Sequence, residues 1–161
     1  MKKIFQAFGF LALLHSAFCF ANAQSLLSIG SKLETGIKTD LRNCDVTDFT
    51  ASSKVDRGSI RFHLSCDGQL VWLTVTTYAT ADQARDFLRS ELAKVDATLY
   101  QTIQLPNLGE EGYTFANWDR SKPQLGTLDF RLANVLYGVT APSDERARTV
   151  AQAVSNFMCA T

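Results

Sequence analysis

The chain has 161 residues, of which 46% are hydrophobic, and its 16 lysine and arginine residues balance 16 aspartate and glutamate residues. This length suits one globular domain, and the content of 9 glycines and 3 prolines excludes a disordered or collagen-like chain. A balanced charge offers no electrostatic footprint for a phosphate backbone, so nucleic acid is not expected as a partner.

The first 23 residues have the pattern of a secretory signal peptide. Lys2 and Lys3 precede an apolar run over residues 4–20, and Ala21-Asn22-Ala23 has the small-x-small spacing that signal peptidase recognises. The run is shorter than the roughly 20 residues that a membrane-spanning helix needs, although a retained anchor is the alternative. We expect residues 1–23 to be removed and residues 24–161 to form a single secreted or periplasmic domain, with no stable membrane insertion.

Cleavage would leave few residues for metal or redox chemistry. Three cysteines remain, at Cys44, Cys66 and Cys159, and His63 is the remaining histidine. One histidine excludes metal sites with several histidine ligands, and the cysteine spacing lacks the paired ligands of a zinc site. No metal and no cofactor are predicted.

The first predicted element after the signal peptide is a helix over residues 25–41. Its apolar residues recur at spacings of three and four, which describes one helix face. Gly30 and Gly36 each cost about 1 kcal/mol in a helix interior, so an early end is an open alternative. The apolar face consists of Leu26, Ile29, Leu33, Ile37 and Leu41.

From Cys44 to Tyr78 the hydrophobic period changes to two, which predicts strands. Asp67-Gly68 supplies a two-residue turn that accepts positive φ. This turn fixes the register, so that both strands present their apolar residues on one face. The predicted pairs are Leu64 with Val71, Phe62 with Leu73 and Ile60 with Val75.

A third strand is predicted before this hairpin and brings two cysteines together. If residues 45–52 and 58–65 pair about a turn near Val55, Cys44 lies opposite Cys66, and an oxidising compartment would join them. The same register places Asp48 on the apolar face, so a bulge or a different partner for Cys44 stays open. Cys159 would be left as a small buried residue, or as a reactive or intermolecularly paired thiol.

The second half of the chain repeats strands and helices. Thr80 and Gln83 have the spacing of a capping box and begin a helix to about Val95. Residues 98–112 are predicted to be extended and to end in a loop, and residues 113–117 to form a short strand. A hairpin over residues 128–139 turns at Ala133-Asn134, and Pro142-Ser143 precedes a last helix with one apolar stripe.

These elements predict an α+β fold. Adjacent hairpins imply a mainly antiparallel sheet, and helices with one apolar face imply a layer that covers it. We therefore expect a two-layer sandwich with about three helices on one face of the sheet.

Candidate binding residues lie on one strand face and in one loop. The strand phase places His63 opposite Trp72, and flat rings and hydroxyls there predict a surface for a protein or small ligand. Scattered surface aromatics are the alternative. Trp118 and Arg120 stand in a predicted loop, and a contact point built on tryptophan and arginine and an incidental loop tryptophan are two open alternatives there. The residues sharing the face of His63 are Phe49, Arg61, Trp72, Thr74, Thr76 and Tyr78.

Two catalytic arrangements are weaker hypotheses. A serine-histidine-aspartate triad would have to use His63, yet the Gly-x-Ser-x-Gly pattern is absent from the sequence. Glu110 and Glu111 between two glycines could act as paired carboxylates, but a solvated turn is the expected alternative.

The last 55 residues or so carry a resemblance. The run from Leu108 to Tyr113, the hairpin from Phe130 to Tyr137 and the closing helix resemble small secreted bacterial α+β accessory or sensor-like domains with a Mog1/PsbP-like shape. This chain departs from that pattern where Ala133 replaces the turn glycine and where a lipobox cysteine would stand. The resemblance implies a non-catalytic binding or accessory role and transfers no active-site residue.

The sequence thus predicts a secreted or periplasmic binding module without a catalytic constellation. Its partner is expected to be a protein or a small ligand. The alternatives are an inhibitor or immunity protein of an enzyme and a small hydrolase that uses His63.

Overall fold

A computed structural model describes residues 26–41, 43–119, 121 and 124–159. The predicted signal peptide and Arg120 lie outside these residues. The helices are α1 (Leu26–Asp40), α2 (Ala81–Lys94) and α3 (Asp144–Cys159). The strands are β1 (Cys44–Ser53), β2 (Arg57–Cys66), β3 (Gln69–Tyr78), β4 (Tyr100–Gln104), β5 (Glu111–Asn117), β6 (Gly126–Leu132) and β7 (Val135–Ala141). Within this part of the chain, no helix has the length and hydropathy needed to cross a membrane.

The seven strands form one antiparallel sheet in the order β1-β2-β3-β7-β6-β5-β4. The β2–β3 hairpin has the predicted register, including Phe62 opposite Leu73. Its turn uses Asp67 and Gly68 at φ of 51° and 74°, as a two-residue hairpin turn requires. The α+β class and the hairpin-built antiparallel sheet are confirmed.

The helices lie on both faces of the sheet, which corrects the expectation of three on one face. We call the face covered by α1 and α3 the core face, because their buried residues form one apolar cluster with Phe62, Leu73 and Phe130. Helix α2 lies over the opposite face, where Phe87 and Leu88 line a cavity with threonines of β3 and β7. We call this the α2 face. Because threonine and glycine are not typical of a buried strand face, the sequence pattern did not predict that a helix covers it.

Helix α1 continues through both of its glycines to Asp40. At Gly36 the reason is the contact with α3, since a Cβ there would lie 2.7 Å from the ring of Phe157. The glycine therefore lets the two helices approach closely, and the packing offsets its low helix propensity.

The pairing of β1 with β2 joins the predicted cysteines. Cys44 lies opposite Cys66, and the two form a disulfide. A bulge between Val46 and Asp48 then shifts the register by one, so Asp48 lies opposite His63 instead of on the core face. Cys159 is also disulfide-bonded, so the described residues contain no free thiol and the expectation of an unpaired Cys159 is wrong.

Candidate functional site

Five side chains form an open depression of about 380 Å³ on the α2 face. They come from three neighbouring strands, with His63 opposite Trp72 and Trp72 opposite Thr140. Trp72 is 43% exposed although its strand is paired on both sides. We call this surface the Trp72 patch: Arg61, His63, Trp72, Thr74 and Thr140.

His63 has a carboxylate neighbour but no aligned hydroxyl. Its Nδ1 lies 4.0 Å from Oδ2 of Asp48, and 65% of the Asp48 side chain is exposed. A catalytic base needs about 2.6–3.2 Å to the group that it deprotonates. Among the described residues, the hydroxyl of Thr47 donates to the His63 backbone carbonyl, and no serine hydroxyl hydrogen bonds to the imidazole. The Asp48 carboxylate can orient the imidazole, while the described residues align no nucleophile with it.

Two residues predicted to share the binding face with His63 are not part of the Trp72 patch. The bulge places Phe49 opposite Phe62, with ring centroids 6.2 Å apart, so Phe49 is on the core-face side. Tyr78 is 8% exposed, and its ring lies 5.4 Å from that of Phe87 on α2. Burial raises the pKa of the Tyr78 hydroxyl. Phe49 is therefore on the opposite face from Trp72, whereas Tyr78 keeps the predicted face but is buried beneath α2.

Trp118 lies on a different part of the molecule from the Trp72 patch. Its indole Nε1 donates to the carbonyl of Ala97 at 3.0 Å and so joins the segment after β5 to the turn before β4. Strand β5 is three positions from β3 in the sheet, about 14 Å at ordinary strand spacing. The structure therefore does not unite Trp118 with Trp72 in one surface.

Glu110 and Glu111 hold a buried arginine. Arg131 is 3% exposed, and its Nη1 lies 2.6 Å from Oε2 of Glu110, while Nη2 lies 3.6 Å from Oε1 of Glu111. The other oxygen of Glu110 accepts a 3.0 Å hydrogen bond from the backbone N–H of Ala133. Both carboxylates are thus engaged by Arg131, and Glu110 also holds the β6–β7 turn.

A larger cavity lies beside α2, and no sequence pattern predicted it. It measures about 580 Å³ and lies between the end of α2 and the outer strands, with Tyr100, Phe115 and Leu125 among its apolar lining. Asp129 of β6 lines this cavity and also a smaller one of about 270 Å³ beneath Phe87. In β6, Asp129 alternates with the buried Leu128 and Phe130, which is the ordinary pattern of a strand with one side facing solvent. The sequence therefore did not predict a cavity at Asp129.

The pKa of Asp129 is raised because its carboxyl lies partly buried between the two cavities. Burial raises its pKa to about 6, and the negative charge of Glu91 adds to the effect. The ionised form is therefore disfavoured in the folded protein relative to the unfolded chain, where the ordinary value is 3.8.

This shift makes stability depend on pH. Because the folded state binds the proton more tightly, Asp129 stabilises the fold below about pH 4 and that contribution is lost as pH rises to about 6. We expect Asp129→Asn to become progressively more stable relative to the natural protein across this interval, with no further change above about pH 7. Urea unfolding between pH 4 and 8 measures it, and parallel stability profiles for the two proteins would contradict the assignment.

Comparisons with known proteins give a weak resemblance at the level of structure. No family model and no curated protein match this chain. A GTP-binding regulator from Thermotoga maritima has 18% identity and a TM-score of 0.48, with 83% of this chain and 90% of the other covered. The extracellular domain of PknH from Mycobacterium tuberculosis has 11% identity and a TM-score of 0.49, with 84% and 97% covered. Neither similarity establishes a family or a function for this chain.

Proposed function

We propose that this protein is an exported, non-catalytic binding module that docks a partner protein on the Trp72 patch. The observation that carries the proposal is the exposure of Trp72 beside Arg61 and His63 on a part of the sheet left open by α2. Tryptophan and arginine are the residues that most often dominate protein interfaces, and the patch is a shallow depression on a rigid sheet. A complementary partner presents an apolar pocket to the indole and a carboxylate to Arg61.

Two features support export. The first 23 residues have a signal-peptide pattern, and the Cys44–Cys66 disulfide is of a kind that persists in oxidising compartments. A small ligand is the alternative occupant of the patch. Among partner proteins, an enzyme is the class that would make this protein an inhibitor or immunity protein. A measurement of the partner's activity with and without this protein distinguishes this case.

Photocrosslinking tests the patch in cells that export the protein. A photoreactive phenylalanine at position 72 should capture a discrete partner, whereas the same group at position 49 should not, since Phe49 is 60% exposed but lies on the other side of the sheet.

The captured partner then allows the binding energy to be measured. We expect Trp72→Ala to weaken its affinity at least about thirtyfold, which corresponds to a hot-spot loss of about 2 kcal/mol. Phe49→Ala serves as the matched control and should stay within about twofold. Unchanged binding by Trp72→Ala, with the variant folded, would remove the patch as the docking surface.

A further inference from the structure

The two cavities beside α2 meet at one carboxylate. The smaller cavity has Phe87 and Leu88 above and Thr76 and Gly138 below, and the larger continues towards Tyr100 and Phe115. Gly138 leaves space in the floor, because a Cβ there would lie 2.9 Å from Oδ1 of Asp129. Asp129 is therefore reachable from both cavities.

Asp129 has no partner among the described residues. It makes no hydrogen bond or ion pair with any of them, although it is only partly exposed. The carboxylate is half-buried and receives no hydrogen bond from the described residues, so a bound donor or cation could pair with it. The group is thus an available acceptor at the junction of two spaces large enough for a small organic molecule.

The charged and titratable groups around Asp129 do not neutralise it. From α2, Glu91 faces it and is itself paired with Lys94 at 2.5 Å, with the two side chains 44% and 66% exposed. On β6, Arg131 is held by Glu110, and β7 contributes Gly138 opposite Asp129. The remaining titratable neighbours are Tyr113 on β5, Tyr100 on β4 and Asp96 after α2.

The apolar walls define the rest of the ligand. Tyr100, Phe115 and Leu125 offer rings and aliphatic surface around the larger cavity, and Thr127 adds a hydroxyl. Aromatic faces also attract cations. A ligand that fits both ends therefore combines a charged nitrogen with a hydrocarbon or aromatic body.

We propose that this cavity is a binding site for a small organic amine, whose ammonium group pairs with Asp129 and whose apolar body packs against Tyr100, Phe115 and Leu125. The site uses side chains other than Arg61, His63 and Trp72. It does not rest on the docking of a partner protein at the Trp72 patch.

Two probes that differ in charge test the proposal. Phenethylamine carries an ammonium group, and phenethyl alcohol has the same body without the charge. With the natural protein at pH 7, we expect nuclear magnetic resonance titration to show the amine binding at least about tenfold more tightly than the alcohol, since a charge-assisted contact contributes at least that factor.

Lowering the pH to 5 should weaken amine binding about tenfold, because a carboxyl with a pKa of about 6 changes from mostly ionised to mostly protonated. Alcohol binding should not weaken in this way. The changes in nuclear magnetic resonance chemical shift on amine binding should concentrate at residues that line the cavity, such as Phe115 and Thr127.

Asp129→Asn should abolish the preference for the amine while retaining weak binding of the alcohol. Asp86→Asn is the matched control, because Asp86 is an exposed aspartate of α2 that lines neither cavity. Trp72→Ala should bind the amine normally, which separates this site from the docking patch. Equal binding of amine and alcohol, no binding of either, or an amine preference that persists in Asp129→Asn would each overturn the proposal.

Discussion

Replacing Arg131 by alanine should lower the free energy of unfolding by about 2–3 kcal/mol, because it removes charge-assisted hydrogen bonds while the Glu110 carboxylate left behind is 39% exposed and regains water. Arg131 is 3% exposed, and its removal leaves the Glu110 carboxylate without its 2.6 Å partner. It also removes the 2.8 Å hydrogen bond that the guanidinium donates to the carbonyl of Ala133. Both losses act on the β6–β7 turn, so chemical denaturation monitored by tryptophan fluorescence will report them.

One further variant separates charge from hydrogen bonding at this turn, and a second, on α1, is an exposed control. Glu110→Gln keeps an acceptor for the N–H of Ala133 but removes the charge, so its loss of stability should be smaller than that of Arg131→Ala. Lys38→Ala breaks an exposed pair with Glu34 and should change stability by no more than about 0.5 kcal/mol. A loss below about 1 kcal/mol for Arg131→Ala would show that the ion pair does not hold the turn.

Removal of the Cys44–Cys66 disulfide should cost about 3 kcal/mol. The bond closes a loop with a sequence separation of 22, and the chain-entropy model gives this magnitude for a loop of that length. The measurement is urea unfolding of Cys44→Ala/Cys66→Ala under oxidising conditions.

The single variant Cys66→Ala provides the control for this prediction. It loses the same bond, so its stability should match that of the double variant within about 1 kcal/mol. A double variant that unfolds with the natural free energy would show that the cross-link contributes nothing to the fold.

Local signals in the sequence predicted the hairpins well. Asp67-Gly68 allows positive φ at both turn positions, and a two-residue loop leaves one register that places the alternating apolar residues of both strands, such as Phe62 and Leu73, on one buried face. Asp48 likewise raised a bulge as one of two alternatives, because an aspartate on an apolar face conflicts with burial, and the structure has that bulge. These features depend on neighbours in the chain, which the sequence displays directly.

The site depended on information that the sequence does not display. Helix α2 lies over Thr76 and Gly138, which have no strong preference for burial, so the covered face resembled a solvated one. Trp72 is exposed because α2 does not extend over it. The pKa of Asp129 is raised because the fold buries its carboxyl beside α2. Phe49 lies on the opposite face from the predicted one, because the one extra residue of the bulge reverses the face to which the following side chains point.

The bulge in β1 also bears on how copies of this protein avoid one another. Strand β1 is at the edge of the sheet, and an edge of ten residues exposes backbone groups that a second copy can pair with. The irregular register between Val46 and Asp48 interrupts that row and twists the strand, which disfavours a continuous intermolecular ladder. The extra residue of the bulge, which removes Asp48 from the core face, is therefore also expected to disfavour edge-to-edge pairing between copies of this protein.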